Sequence, residues 1–394
     1  MPPEYPPVAS RPNPTSPGHI LAVLRADGPL TRQELQARVG LSRATMVDRL
    51  DTLDRLGWLR RTGHQESSGG RRAELLGVDD TGRTALVIDL GQSHATLAVV
   101  DLCGTVFLRS EQPVAARSGP HRTLPELVEQ GQELLERAGR ANSLCAVGLG
   151  VPGQVDGSRG CTVAPPTMPE WTGVPLRAPF EEAFGVPVVL ENDANALAFG
   201  DYFALGRPAA ALVGVKIGTG IGAGVVTYGR THRGESGGAG EIGHMRIEGN
   251  EQPCTCGRRG CVFAVASGYA LARRLRSTGA RSVGDVARLV RAGQRDAVRA
   301  TADAGKLVGT VLATVVTIVN PRYLRVGGAI GVLPPFLDRL TETVTANAHA
   351  SALKKLRIEP SALGENATLT GLAGLVADEM LAPATIDAMA QRLA

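Results

Sequence analysis

Three cysteines, Cys254, Cys256 and Cys261, crowd into eight residues shortly after His244. Three thiolates and one imidazole are the donor set of a tetrahedral zinc site, and four protein ligands leave no open coordination position. The spacing therefore predicts a structural zinc knuckle held by His244, Cys254, Cys256 and Cys261, with Gly257 and Gly260 permitting its tight turns. The spare nitrogen of His244 can then face a ligand in an orientation set by the metal. The other cysteines, Cys103, Cys145 and Cys161, lie in or near apolar β runs and read as buried filler.

A second polar cluster, Glu191-Asn192-Asp193-Ala194-Asn195, stands between an apolar strand and an Ala-rich helix. A carboxylate there can accept sugar hydroxyls or act as a general base; capping of the helix by Asp193 is the plainer reading. The run from Gly218 to Gly224 looks like a dinucleotide fingerprint, but a β run follows it instead of a helix. It reads as a hairpin-type phosphate cradle or as a simple structural hairpin.

These residues must be positioned by regular elements. Apolar β runs at Leu86–Asp89, Thr96–Asp101 and Val106–Ser110 flank Gly91-Gln92-Ser93-His94, and the plan recurs at Ala211–Ile217, Ala223–Thr227 and Arg246–Glu248 around the loop from Gly218. Two strand, glycine loop and strand units, each followed by helices, predict a duplicated α/β architecture with a cleft between two lobes. Helical periodicity marks 124–138, 178–184, 268–275, 282–292, 302–319 and 335–348.

Ahead of this domain, Ile20, Leu21, Val23 and Leu24 define a first helix. Thr31 and Glu34 form a capping box for a second, which ends at Gly40. Ser42 caps a third, with Val47, Leu50, Leu53 and Leu56 on its apolar face. Strand-like Trp58–Thr62 and Ala73–Val78 then bracket a Gly-rich tip, completing a winged helix-turn-helix. Its DNA-contacting candidates are Thr31, Arg32, Ser42, Arg43, Thr45 and Arg49, with Arg71 and Arg72 at the wing tip. A helical domain used only for dimerisation is the alternative. The domain boundaries read as a disordered Pro-rich leader at 1–14, the DNA-binding domain at 15–80 and the two-lobed domain at 84–394.

Composition sets the outer limits. With 394 residues, 43% of them hydrophobic and 20% charged, the chain is globular and holds more than one domain. A net charge of +4 excludes a whole-surface nucleic-acid field, so DNA contact must be local. The start lacks a secretory pattern and no run reaches about 18 uninterrupted apolar residues, which predicts a cytoplasmic protein without a membrane partner.

Taken in order, Glu191–Asn195, the loop from Gly218, Gly240-Glu241-Ile242-Gly243-His244, the Cys254–Cys261 knuckle and Val326-Gly327-Gly328 resemble the ROK family of repressors and sugar kinases. The winged helix resembles that of its repressor branch. The resemblance implies an α/β fold in which a winged helix-turn-helix precedes a duplicated actin-like, hexokinase-type (ribonuclease H-like) domain, usually in a homo-oligomer. It also implies that Asn192, Asp193, Glu241 and His244 contact sugar hydroxyls, Asp193 being the base in kinase members. Two departures stand out. Kinase members carry Asp-x-Gly-Gly-Thr, whereas this chain has Asp89-Leu90-Gly91-Gln92-Ser93, where the Gln92 side chain hinders approach of a triphosphate. A family glutamate two residues beyond Cys261 is replaced by Phe263.

Gly91, Ser93, Gly218, Thr219 and Gly220 are accordingly read as vestigial phosphate loops. The sequence predicts a repressor that binds an inverted-repeat operator in double-stranded DNA as a homodimer or homotetramer. A sugar or phosphosugar effector releases it. An ATP-dependent sugar kinase using Asp193, and a ligand-independent DNA-binding protein with a relic cleft, are the competing readings.

Overall fold

The computed structural model describes residues 13–64, 73–114, 116, 119–163, 168–208 and 210–393. All but the last two residues of the 1–14 leader lie outside these, as do Arg71 and Arg72 of the wing tip. The chain forms two compact units: Met1–Thr84 with Asp101–Cys103 and Val376–Ala394, and Ala85–Val100 with Gly104–Leu375.

The first unit is a winged helix. Helix α1 (Pro17–Asp27) is followed by β1 (Leu30–Thr31), α2 (Arg32–Val39), α3 (Arg43–Arg55), β2 (Leu59–His64) and β3 (Glu74–Val78), with strand order β1-β3-β2. The caps are those expected from sequence. Thr31 and Glu34 close a full capping box, Ser42 accepts from the Thr45 N–H, and Gly40 ends α2 in the left-handed region at φ 73°. The face of α3 turned to the core carries Met46, Leu50 and Leu53; Val47 is only partly buried. Trp58 is fully buried, and the Arg83 guanidinium lies 4.3 Å over its ring.

The second unit repeats one topology. In its first lobe, β4 (Thr84–Leu90), β5 (His94–Asp101) and β6 (Val106–Pro113) lead to α4 (Pro120–Arg137) and β7 (Leu144–Val151). A small ribbon of β8 (Val155–Asp156) and β9 (Cys161–Thr162), then α5 (Ala178–Phe184), precede β10 (Val188–Asn192). Helix α6 (Asp193–Ala204) leads to the second lobe, with β11 (Leu212–Ile217), β12 (Ile221–Thr227) and β13 (Arg230–Thr231). There follow α7 (Phe263–Ala266), α8 (Gly268–Arg274), α9 (Val283–Arg291), α10 (Arg295–Val319) and β14 (Tyr323–Gly327). Next come α11 (Pro334–Asn347), α12 (Ala350–Leu353), β15 (Arg357–Pro360), α13 (Ala367–Met380) and α14 (Pro383–Gln391). The sheets run β6-β5-β4-β7-β10 and β13-β12-β11-β14-β15. Ranked by chain position within each lobe, both read third, second, first, fourth, fifth, so the duplication expected from the two glycine loops is present.

Three details depart from the sequence reading. Cys103 is exposed, whereas Cys145 and Cys161 are buried. Arg246–Glu248 is not a strand; β13 is the third strand of the second lobe. Its chain is instead tied to the cysteine knuckle, with the Ile247 N–H donating to the Gly260 carbonyl at 2.8 Å and the Val262 N–H to that of Met245 at 2.9 Å. Helix α10 begins at Arg295, seven residues before Ala302, because the Gln294 side chain accepts from the Ala297 N–H. This helix has the length and apolarity of a membrane span, yet its apolar face is built into the second lobe's core. It packs against α11, where a Cβ at Gly309 would lie 2.7 Å from that of Thr343.

Within the first unit the chain's end returns to its beginning. The Gly18 N–H donates to Asp387 of α14 at 2.8 Å, Arg25 pairs with Asp378 at 2.6 Å, and Ile386 is fully buried. The last helix thus belongs to the winged-helix unit's core. Ile386→Ala is expected to destabilise that unit by about 2–5 kcal/mol, the range for emptying a buried aliphatic site. Urea denaturation checks this; an unchanged midpoint would show α14 to be a passive tail.

Candidate ligand cleft, metal centre and DNA-reading helix

The candidate ligand site is built by close packing of α6 on the second sheet. Ala194 and Ala198 of α6 meet Gly214 and Gly224 of β11 and β12, where an added Cβ would sit 2.6 Å from the Ala198 Cα and from the Ala194 carbonyl oxygen. Only glycine allows that approach. It carries Asp193, at the N-terminus of α6, to the ammonium of Lys216 on β11 at 3.0 Å. The same ammonium lies 3.1 Å from Asp89, at the end of β4 in the other lobe, and 3.4 Å from the Thr368 hydroxyl.

Asn192, not Asp193, caps α6. Its Oδ1 accepts from the Ala194 and Asn195 N–H groups at 2.9 and 3.0 Å, and its Nδ2 donates to the Gly153 carbonyl at 2.9 Å. Asp193 is thereby released from the structural role the plainer sequence reading gave it. Glu191 is almost wholly buried and accepts from the Asn192 N–H, from Asn195 Nδ2 at 3.0 Å and from Arg233 Nε at 2.8 Å. That carboxylate fastens β10, α6 and the segment after β13 together.

Two glycines hold the segment of Glu241 and His244 against β12. The Gly240 carbonyl accepts from the Ala223 N–H of β12 at 2.9 Å, and a Cβ at Gly243 would lie 2.5 Å from the Ile221 carbonyl oxygen. Burial pushes the Glu241 carboxyl above the usual range and the charge of Asp193 adds to the shift. Asp193 is raised too, since burial outweighs the attraction of Lys216 and Asp89 repels it. Burial alone would lower Lys216, but Asp193 and Asp89 overcome it and hold the ammonium charged.

The expected metal ligands converge. Ligand atoms of His244, Cys254, Cys256 and Cys261 all lie within 4.8 Å of one another, a group able to hold a metal ion. Cys256 Sγ is 3.7 Å from Cys261 Sγ, and Cys254 Sγ is 3.5 Å from His244 Nδ1. Burial and the neighbouring thiols push Cys261 up to about 12, while Cys256, despite burial, is held below its ordinary value by the Arg258 N–H. Burial, then Arg258, lowers His244 and keeps its imidazole neutral, the form that ligates metals. The buried Phe263 ring stacks 5.7 Å from that of His244 and 6.2 Å from that of Tyr269, an apolar backing for the knuckle.

The glycine loops are tight turns. Gly218, Thr219 and Gly220 form the tip of the β11–β12 hairpin, and the Gly218 and Thr219 carbonyls accept from Gly268 and Tyr269 at the start of α8. Gly91 donates to the His94 carbonyl at 2.9 Å, and Ser93 is exposed.

On the DNA-reading unit, Arg32, Ser42 and Arg43 are exposed and Thr45 and Arg49 partly so. Arg49 donates to the Thr15 carbonyl at 3.0 Å and pairs with Asp48 at 2.7 Å. Thr31 is buried with its hydroxyl on Glu34 at 2.8 Å, and Thr45 shares its hydroxyl with Ser42 at 2.9 Å. Sequence reasoning named Asp89 only as the head of the first glycine loop and missed Lys216 and Arg233 altogether. The available signal was a lone charge inside each of two apolar strands, Asp89 in β4 and Lys216 in β11; Arg233 carries none.

Fold and site define a two-lobed, sugar-kinase-like protein that carries a winged helix-turn-helix. The ROK family model matches residues 85–379 and a winged helix-turn-helix DNA-binding model residues 18–60. The chain belongs to the ROK family. The xylose repressor of Bacillus subtilis (strain 168) is 28% identical over 366 residues, covering 92% of this chain and 94% of that protein. A ROK family transcriptional regulator, a homologue of the E. coli Mlc protein, shares the fold at TM-score 0.77 and 23% identity, over 95% of this chain and 97% of its own. A ROK family glucokinase from Streptomyces griseus, solved with glucose and AMPPNP, gives TM-score 0.65 at 27% identity, over 74% of this chain and 98% of its own.

A folded-state carboxyl pKa above its unfolded value costs stability while the group is charged, and that cost fades as pH falls through the folded pKa. Glu241→Gln is therefore expected to raise the melting temperature more near pH 8 than at about pH 5. Thermal unfolding at both pH values checks this; equal increments would remove the buried-charge assignment.

Proposed function

We propose that the protein is a sugar-responsive transcriptional repressor of the cytoplasm. The observation that carries this reading is the presence, in one chain, of a DNA-reading helix opening on exposed Arg43 and a sugar-kinase-like cleft whose Asp193 is paired with Lys216. A base so engaged, beside a first loop carrying Gln92, is poorly suited to phosphoryl transfer and well suited to hydrogen-bonding a ligand. The full-length similarity to a xylose repressor supports the same reading.

In this reading Asp193 and Glu241 accept from sugar hydroxyls, and Asn192 offers its remaining amide hydrogen. His244 presents the ring nitrogen left over from the metal. Arg43 reads base edges from the start of α3. Arg32, Ser42, Thr45 and Arg49 contact the backbone or neighbouring bases, the wing arginines Arg71 and Arg72 reach phosphates or the minor groove, and Thr31 holds α2 in place. A homodimer or homotetramer engages an inverted repeat with half-sites roughly 34–36 Å apart. Sugar releases DNA because it binds the DNA-incompetent arrangement more tightly. The glycine loops are vestiges of phosphate binding.

The metal is zinc. A tetrahedral zinc ion with Zn–S of about 2.3 Å separates its sulfurs by about 3.8 Å, and the 3.7 Å between Cys256 and Cys261 fits that edge. The ion would hold the knuckle and fix the His244 ring. Cys256→Ser is expected to lose metal and lower the melting temperature, because metal binding is coupled to folding. Unchanged metal content by mass spectrometry would overturn the zinc assignment.

Capture of fragmented host genomic DNA by the purified protein, with and without free and phosphorylated sugars, tests the whole reading. The expected result is a few sites sharing an inverted repeat, lost with one sugar. No enriched site would overturn it.

A further inference from the structure

Lys216 makes no contact with the sugar in the sugar-binding reading, and its placement is specific. Its ammonium sits 3.1 Å from Asp89 of the first lobe and 3.0 Å from Asp193, with the Thr368 hydroxyl at 3.4 Å as third partner. The two carboxylates come from separate elements, Asp89 from β4 ahead of the Gly91 loop and Asp193 from the start of α6, and face one point. Their side chains are only 19% exposed, and that of Lys216 is 22% exposed. Carboxylates converging in this way are the ligands that hard divalent cations take. In phosphoryl transfer such an ion bridges the phosphates and the base must hold its lone pair free. Here both requirements are blocked by a covalently attached cation, for the ammonium occupies the point of convergence and is hydrogen-bonded to the base.

We propose that Lys216 is a built-in replacement for a divalent metal ion, so that the cleft binds its ligand without metal or nucleotide. The single positive charge, carried by β11 of the second lobe, balances Asp89 and Asp193 at strand ends of the first, the task a metal–nucleotide complex would otherwise perform. This rests on the cleft being the ligand site, but its test needs neither the effector nor the operator and so can fail independently of the repressor reading.

The experiment is Mn²⁺ titration of the full-length protein, followed by loss of the free-ion paramagnetic resonance signal, with and without AMPPNP. The wild type is expected to take up no Mn²⁺ that Asp89→Asn abolishes. Lys216→Ala is expected to bind Mn²⁺ at least about tenfold more tightly, and Lys216→Ala/Asp89→Asn to lose that gain. Lys216→Gln, which keeps length and hydrogen bonding without charge, serves as a second variant should alanine compromise folding. Uptake of Mn²⁺ by the wild type that is sensitive to Asp89→Asn would overturn the proposal. So would a folded Lys216 variant, verified by circular dichroism, that gains no Mn²⁺ affinity.

Discussion

Two carboxylates at strand ends of the first lobe's sheet, Asp89 in β4 and Asp193 directly after β10, repel each other unless a cation stands between them. In this protein the cation is the Lys216 ammonium, which holds Asp89 and Asp193 together. The surrounding construction serves that contact. Glycines in β11 and β12 let α6 lie close enough on the sheet to bring Asp193 to Lys216, and the strand preceding the first glycine loop delivers Asp89. With α6 carrying the chain from one lobe to the other, the pair is also where a ligand would feel both lobes at once.

The remaining polar groups divide by how much of their bonding capacity the fold consumes. Glu191 is spent on Asn195, Arg233 and its own neighbour's N–H, and most of Asn192 is spent on capping α6. These residues set geometry. Glu241 is buried with its carboxyl raised and is held against β12 by Gly240 and Gly243, so it keeps capacity for a ligand at a cost in stability. On another side, His244, Cys254, Cys256 and Cys261 gather within 4.8 Å of one another, and the buried Phe263 ring stacks between those of His244 and Tyr269.

Much of this was legible in the sequence because its signals are local. The Thr31–Glu34 capping box, the Ser42 cap, the cysteine spacing and the repeated strand and glycine loop each depend on a few adjacent residues. What was not legible is long-range. No periodicity shows that α14 closes on α1, since that contact joins residues 369 apart, Gly18 and Asp387. The Asp89–Lys216 pair joins two strands that individually read as apolar, and Arg233 finds Glu191 only through tertiary placement. Arg246–Glu248 misled because a short run with one apolar residue was matched to a repeat, whereas tethering to the knuckle decides its course.

In the proposed reading a kinase-like fold binds a sugar while Lys216 blocks the handling of phosphate, and it is joined in one chain to a winged helix-turn-helix. Side-by-side measurement of melting temperature and ADP release over free sugars, D-xylose and D-glucose included, with ATP and Mg²⁺ present, tests this most directly. The account predicts a raised melting temperature with at least one sugar and no ADP release with any. ADP release that disappears in Asp193→Asn would contradict it.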